Sequence, residues 1–107
     1  MAVIAKDEIV LNYPYSSSTV STVNTKSLYL EPGAMLGIYV DLKSCDTPFQ
    51  WSVIDNNGKV VDSKWNTGVN KVMGAPVGYY YLKLDGGGSE GGDVFPCYAK
   101  GILSIQK

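Results

Sequence analysis

The segment from Pro48 to Val61, PFQWSVIDNNGKVV, constrains the fold of this chain more than any other. Its side chains Phe49, Trp51 and Val53 fall on one side of an extended backbone, which is the two-residue period of a β-strand. The pair Asn57-Gly58 follows, and both residue types tolerate the positive φ that a tight hairpin turn requires. The segment therefore predicts a β-hairpin with an aromatic face.

Length and composition predict one strand-rich domain covering residues 1–107. A chain of about 100 residues can bury roughly two-thirds of the surface that its unfolded form exposes. Apolar residues make up 45% of the sequence and charged residues 18%, which is typical of a globular domain rather than a disordered one. Abundant tyrosine and glycine favour strands and turns over helices.

The charged residues exclude several classes of function. All nine basic residues are lysines, there is no histidine, and ten acidic residues leave a net charge of −1. Nucleic acid is not expected as a partner, because phosphate recognition draws on arginine and a positive surface. Without histidine, triads based on serine or cysteine with histidine and histidine-based zinc sites are also excluded.

Two cysteines, Cys45 and Cys97, predict one disulfide and with it an oxidising, extracellular compartment. The bridge would close a loop of about 50 residues and stabilise the fold by roughly 4 kcal/mol in the chain-entropy model. The alternative is a pair of buried free thiols in a cytosolic protein. Residues 1–5 are too short for a signal peptide, so we expect a secreted form to be the mature chain with a start methionine added. No apolar run approaches the roughly 18 residues of a membrane span.

The remaining sequence predicts further strands. Met35 to Lys43 is the clearest, because Leu36, Ile38, Val40 and Leu42 alternate with the residues between them. The other predicted strands are Glu8 to Tyr13, Thr19 to Val23, Lys26 to Leu30, Val69 to Met73, Val77 to Leu84 and a last one within Phe95 to Gln106.

The turn Glu31-Pro32-Gly33 predicts a second hairpin, between Lys26–Leu30 and Met35–Lys43. No segment of 11 or more residues has a sustained helical period. About eight strands at this spacing predict an all-β, two-sheet antiparallel β-sandwich.

Four segments together resemble bacterial pre-peptidase C-terminal domains: LEPGAMLGIYVDL, FQWSVIDNNGKVV, APVGYYYLKLD and YAKGILSIQ. The resemblance covers roughly Leu30 to Ile105 and depends on a Pro/Gly turn, an Asp-x-x-Gly hairpin turn and a Gly-Tyr-Tyr strand. It implies a jelly-roll-like sandwich in a secreted protein. It also implies an accessory or binding module, sometimes dependent on calcium, without catalytic residues of its own. The cysteine pair departs from that family's pattern.

Four aromatic residues are candidate ligand contacts: Trp51, Trp65, Tyr79 and Tyr81. Flat rings stack on the apolar faces of sugars or on peptides at low entropic cost. The alternative is that Trp51 and most of the tyrosines fill the core between the sheets. Trp65 lies among polar residues, which favours exposure.

Acidic residues offer two weaker candidate sites. Asp85, Glu90 and Asp93 flank a Gly-rich segment and could bind calcium through carboxylate oxygens, but the preferred interpretation is a solvated loop, because no calcium-loop pattern is present. Otherwise no cofactor is expected. Two carboxylates from the set Asp41, Asp46, Asp55 and Asp62 could form a hydrolase site, but their positions at strand ends and turns suit ordinary structural roles.

These observations lead us to expect a secreted, disulfide-bonded, non-catalytic binding module that recognises a carbohydrate or a protein surface. The alternative is a small secreted antibacterial or toxin-like effector, or an inhibitor, that makes its contacts through a loop near Pro48 or Asp85.

Overall fold

The computed structural model describes residues 1–13, 22–46, 48–86, 89–90, 93–94 and 96–107, and of residues 13, 89–90 and 93–94 only the backbone. These residues form strands and turns but no helix, and hence no apolar helix long enough to cross a lipid bilayer. The strands are β1 (Val3–Tyr13), β2 (Thr22–Asn24), β3 (Leu28–Leu30), β4 (Met35–Cys45), β5 (Gln50–Asp55), β6 (Val60–Trp65), β7 (Val69–Met73), β8 (Gly78–Asp85), β9 (Ser89–Glu90), β10 (Asp93–Val94) and β11 (Cys97–Gln106).

Nine of these strands form two antiparallel sheets packed face to face, which confirms the predicted β-sandwich. The four-stranded sheet has the order β1-β11-β4-β7. The five-stranded sheet has the order β2-β8-β5-β6, and β3 also pairs with β8. The short strands β9 and β10 pair with each other, so part of the Gly-rich segment expected to be a loop forms a ladder.

The core lies between the sheets and is built by alternation. On β4 the side chains of Leu36, Ile38 and Val40 are buried, as the sequence predicts. On β8 the buried side chains are Tyr80, Leu82 and Leu84. The sequence alone does not show which face of this strand points into the core. Every second residue of a strand faces the opposite sheet, so its neighbours in sequence face solvent.

One glycine leaves room for the side chains of the opposite sheet. Gly101 on β11 faces β8, and a Cβ atom in its place would lie 2.9 Å from Cδ2 of Leu82 and 3.2 Å from Cδ1 of Leu84. Real Cβ contacts are almost never that short, so leucine side chains from the opposite sheet occupy the space that a side chain here would need.

The predicted turn at Glu31-Pro32-Gly33 is present, but it does not form a hairpin. Ala34 donates its backbone N–H to the Glu31 carbonyl at 3.1 Å, and Gly33 has a φ of 81°, as the Pro-Gly sequence predicts. However, β3 pairs with β8 in one sheet while β4 belongs to the other sheet. The predicted hairpin is therefore wrong, and this turn is where the chain passes between sheets.

The turn between β5 and β6 is one residue longer than predicted. Gly58 donates its N–H to the Asp55 carbonyl at 3.1 Å and has a φ of 80°. Among the described non-glycine residues only Asn66 has a positive φ, so Asn57 does not adopt the left-handed conformation that a two-residue turn would require. A four-residue β-turn, Asp55 to Gly58, with glycine in its last position joins the strands instead.

The predicted disulfide between Cys45 and Cys97 is confirmed. The two cysteines are register partners on β4 and β11, so the bridge links neighbouring strands within one sheet rather than the two sheets. Gly86 packs against the bridge. A Cβ atom at that position would lie only 3.2 Å from Sγ of Cys97.

An acidic side chain that points inward lies at each open side of the sandwich. On one side, Oδ2 of Asp7 on β1 accepts a hydrogen bond of 2.7 Å from the backbone N–H of Lys26, next to the five-stranded sheet. On the other side, Asp62 of β6 forms an ion pair with Lys71 of β7. Inward charges of this kind protect sheet edges from pairing with other chains.

Candidate functional site

The outer face of the five-stranded sheet carries a cluster of tyrosines, which we call the tyrosine patch: Tyr29, Tyr79 and Tyr81. Tyr29 on β3 and Tyr79 on β8 are register partners. Their ring centroids are 5.1 Å apart with the planes tilted by 50°, a favourable arrangement for two aromatic rings. Their exposed fractions are 47% and 49%, so both rings remain accessible to a ligand.

Alternation along β8 puts Tyr81 on the same face as Tyr79. Tyr81 is half-buried, and its register partner on β5 is Ile54, which in turn pairs with Val60 on β6. Val60 is half-exposed whereas Ile54 is almost covered. The tyrosine patch therefore continues across the sheet as a partly apolar strip.

Tyr29 was missed by the sequence-based choice of candidates. Its alternation with Leu28 and Leu30 in KSLYL is visible in the sequence and places it opposite the core-facing residues. What the sequence does not show is that β3 pairs with β8, which brings Tyr29 beside a tyrosine about 50 residues away in the chain.

Trp65 is exposed, as its polar neighbours suggest, but lies away from the tyrosine patch. Its exposed fraction is 59%. Its register partner Gln50 pairs in turn with Asp85, and Asp85 is four residues along β8 from Tyr81, the nearest member of the tyrosine patch. At about 3.3 Å per residue this is roughly 13 Å along the strand, and β5 lies between β6 and β8. Trp65 and the tyrosine patch therefore share a face but not a contact surface.

Trp51 cannot belong to an exposed platform, so the prediction that it contacts a ligand is wrong. Its exposed fraction is 0%, and it belongs to the central hydrophobic cluster. The ammonium of Lys71 lies 5.9 Å from the ring centroid, so the ion pair with Asp62 sits over the indole. The aromatic face of the first hairpin is the inner one, and it supplies packing.

A shallow cavity of about 250 Å³ opens next to the tyrosine patch, at one end of the sandwich. It lies between the turn that joins β5 to β6 and the segment that leads into β8. Its lining residues are Asp55, Asn56, Asn57, Lys59, Val61, Pro76, Val77, Gly78, Tyr79 and Tyr80. Tyr79 belongs to both features, so the cavity and the tyrosine patch form one continuous surface.

Asp55 organises the turn that forms one wall of this cavity. Its Oδ1 accepts hydrogen bonds from the backbone N–H groups of Asn57 at 2.8 Å and Lys59 at 2.9 Å. Its own backbone N–H donates to the carbonyl of Lys59 at 2.9 Å. An aspartate that bonds its own following backbone is a common device for fixing a turn, so the wall has a defined shape.

Tyr80 fixes the opposite wall. Its hydroxyl donates a hydrogen bond to the carbonyl of Pro76, which ties the segment before β8 to the sheet. Burial, with a smaller contribution from the negative charge of Asp55, raises the pKa of the Tyr80 phenol above its ordinary value. The phenol therefore stays neutral and keeps its proton for this hydrogen bond.

The calcium expectation stays untested, since the side chains of Glu90 and Asp93 lie outside the described part of the chain. Asp85 lies at the end of β8, half-buried and on the outer face, and it is engaged with a neighbour. Among the described residues no group of three or more His, Cys, Asp or Glu side chains is arranged to hold a metal ion.

Comparison with known proteins gives no family assignment. No family model and no curated protein matches the chain, so the resemblance to pre-peptidase C-terminal domains is not confirmed. Among solved structures, dimeric latent PorU from Porphyromonas gingivalis is similar, with 14% identity over 99% of this chain and a TM-score of 0.35. The match spans 13% of the PorU chain. A likeness with that TM-score is too weak to indicate a shared function.

Proposed function

We propose that this protein is a non-catalytic binding module that recognises a carbohydrate or a protein surface through the tyrosine patch. The observation that carries the proposal is the exposed pair Tyr29 and Tyr79, held 5.1 Å apart on a rigid antiparallel sheet. Tyrosine offers a large, stiff contact area and a polar hydroxyl, which is why it is enriched at binding surfaces. Because strands position both rings, a ligand orders little of the protein when it binds.

The disulfide supports a site of action outside the reducing cytosol. Structural disulfides persist in oxidising compartments, and thiol systems of the cytosol keep most cysteine pairs reduced. Cys97 is fully buried and Cys45 is partly buried, which limits the access of solvent reductants to the bridge. We therefore place the module in an extracellular or equivalent compartment.

The engagement of the carboxylates favours binding over hydrolysis. Asp41 forms an ion pair with Lys43 on the outer face of the four-stranded sheet, and Asp62 is paired with Lys71. Asp55 uses one carboxylate oxygen to fix a turn. Each of these acids has a structural partner, whereas glycoside hydrolysis needs two carboxyl groups facing each other across one cleft.

A direct test compares tyrosine variants on the two outer faces. The double variant Tyr29→Ser/Tyr79→Ser should weaken binding to its best ligand at least tenfold in a panel of immobilised cellulose, chitin, amylose, mucin and collagen. The matched control is Tyr39→Ser, which removes a partly exposed tyrosine from the other sheet and should leave binding within twofold. The proposal would be refuted if both variants lost affinity equally. It would also be refuted if the double variant weakened binding to none of the ligands in the panel.

A further inference from the structure

We infer that the cavity beside Tyr79 is a subsite for one neutral sugar ring, with the rest of the glycan lying over the tyrosine patch. This inference rests on the proposed function and narrows its ligand to a carbohydrate. Its basis is the set of unengaged polar groups that converge on the cavity, their charge balance, and the apolar wall opposite them.

The polar groups suit sugar hydroxyls. Asn56 and Asn57 are exposed, and neither side-chain amide bonds to any residue that the structure describes. An amide offers two donors and one acceptor, so it can bond a hydroxyl in either sense. The two contacts to Asp55 engage Oδ1 only, which leaves Oδ2 as a further acceptor at the cavity.

The charges around the cavity favour a neutral ligand. Asp55 contributes one negative charge, and Lys59, whose ammonium pairs with no acid in the described residues, contributes one positive charge. The two residues lie on the same turn and their charges offset each other. A phosphate or a carboxylate would meet Lys59 but also Asp55, so an anion gains little net attraction there.

The opposite wall is apolar and the space is small. Pro76 and Val77 present aliphatic surface on the wall opposite the turn, and Val61 adds aliphatic surface from the start of β6. Tyr79 leads from the cavity to the tyrosine patch. Sites for drug-sized ligands begin at about 300 Å³, so a cavity of about 250 Å³ suits one ring of a larger ligand. A sugar ring has one face of C–H groups and a rim of hydroxyls, which matches this division into apolar and polar walls.

The site is pre-formed. Hydrogen bonds within the turn fix the polar wall, and the bond from Tyr80 to Pro76 fixes the apolar one. Binding therefore does not require either wall to become ordered first, which lowers its entropic cost.

The test is a nuclear magnetic resonance titration of the whole chain with methyl glycosides of glucose, galactose, mannose and N-acetylglucosamine. We expect at least one probe to shift the backbone amide signals of Asn57, Gly58 and Gly78 saturably. Asn56→Ala/Asn57→Ala should weaken that binding about tenfold, because it removes both side-chain amides that would bond the sugar hydroxyls. The control Asn70→Ala changes an exposed asparagine on the other sheet and should stay within twofold.

A second variant tests the charge argument. Asp55→Asn keeps an oxygen for the backbone bonds of the turn but leaves the charge of Lys59 without its counterpart. Its affinity for methyl glucuronide, an acidic sugar, should rise at least threefold above that of the wild type. An unchanged or lower affinity for methyl glucuronide would show that the charges of Asp55 and Lys59 do not cause a preference for neutral sugars, and the inference of a neutral ligand would be wrong.

The outcomes separate this inference from the proposed function. If no glycoside shifts the cavity amides, or if a glycan shifts only signals at the tyrosine patch, the subsite does not exist. In that second case the proposed function still holds. If collagen binds and the tyrosine double variant abolishes that binding while no saccharide binds, the ligand is a protein and the inference is wrong. If no ligand depends on the tyrosine patch, both proposals fail.

Discussion

Reduction of the Cys45–Cys97 disulfide should lower the free energy of unfolding by about 4 kcal/mol at 25 °C. The cysteines are 52 residues apart in sequence. In the chain-entropy model a closed loop of that length removes about 14 cal/mol/K of entropy from the unfolded chain, or about 4 kcal/mol at 298 K. Domains are stable by roughly 5–15 kcal/mol in total, so this single bond accounts for a quarter or more of the stability.

Urea unfolding with and without a phosphine reductant measures this difference. Fluorescence of the buried Trp51 reports the transition once the exposed Trp65 has been replaced by phenylalanine. Reduction retains both sulfur atoms, that of Cys97 in the core and that of Cys45 packed against it, so it removes the crosslink without creating a cavity. Free energies should be compared rather than midpoints, because an uncrosslinked chain exposes more surface and has a larger m-value.

The double variant Cys45→Ala/Cys97→Ala should be destabilised slightly more than the reduced protein, since it also loses buried volume. Ser44→Ala, on the same strand beside the bridge, serves as the control and should change the free energy by less than about 0.5 kcal/mol. A loss on reduction below about 1 kcal/mol would refute the reasoning, because the bridge would then not be constraining the unfolded chain.

Three further predictions concern the core and the cavity. Trp51→Ala should cost about 3–5 kcal/mol in urea unfolding and Trp65→Ala less than about 0.5 kcal/mol, and similar losses would contradict their placement. Gly101→Ala puts a Cβ 2.9 Å from Cδ2 of Leu82 and should cost about 1–3 kcal/mol in thermal unfolding, whereas an unchanged Tm would mean that the sheets have room to spare. The raised pKa of Tyr80 favours the neutral phenol in the fold, so its contribution is complete below the unfolded-state pKa of about 10 and is lost as pH rises through the higher folded value. Free energies measured from neutral pH into this alkaline range should therefore fall more steeply for wild type than for Tyr80→Phe, and parallel curves would disprove the coupling.

The strands that face the core were the most predictable part of the fold. Met35 to Lys43 alternates cleanly, and its buried face is the predicted one, because a sheet with one covered face imposes a two-residue period. Trp51 shows the limit of this reasoning. Alternation says which residues share a face, but whether that face is inner or outer depends on where the second sheet lies.

Pairing between distant strands was beyond local sequence reasoning. The Pro-Gly turn after Leu30 has the chemistry of a hairpin, yet it carries the chain from one sheet to the other. Local turn preferences fix the path over four residues, while the choice of pairing partner depends on burial across the whole domain. The candidate site inherits this limit, since the tyrosine patch exists only because β3 lies beside β8.

The pairing of β1 with β11 determines how the molecule would respond to tension. Ala2 and Lys107 exchange two backbone hydrogen bonds of 2.9 Å, so the two ends of the chain leave from the same point. A force that pulls these ends apart acts perpendicular to β1 and β11. It therefore breaks the hydrogen bonds between the two strands one after another instead of stretching all of them at the same time. The covalent link at Cys97 lies at the far end of β11 and ties that strand to β4. Peeling of β11 from β4 would therefore stop there, and the segment between the two cysteines would be shielded from the load.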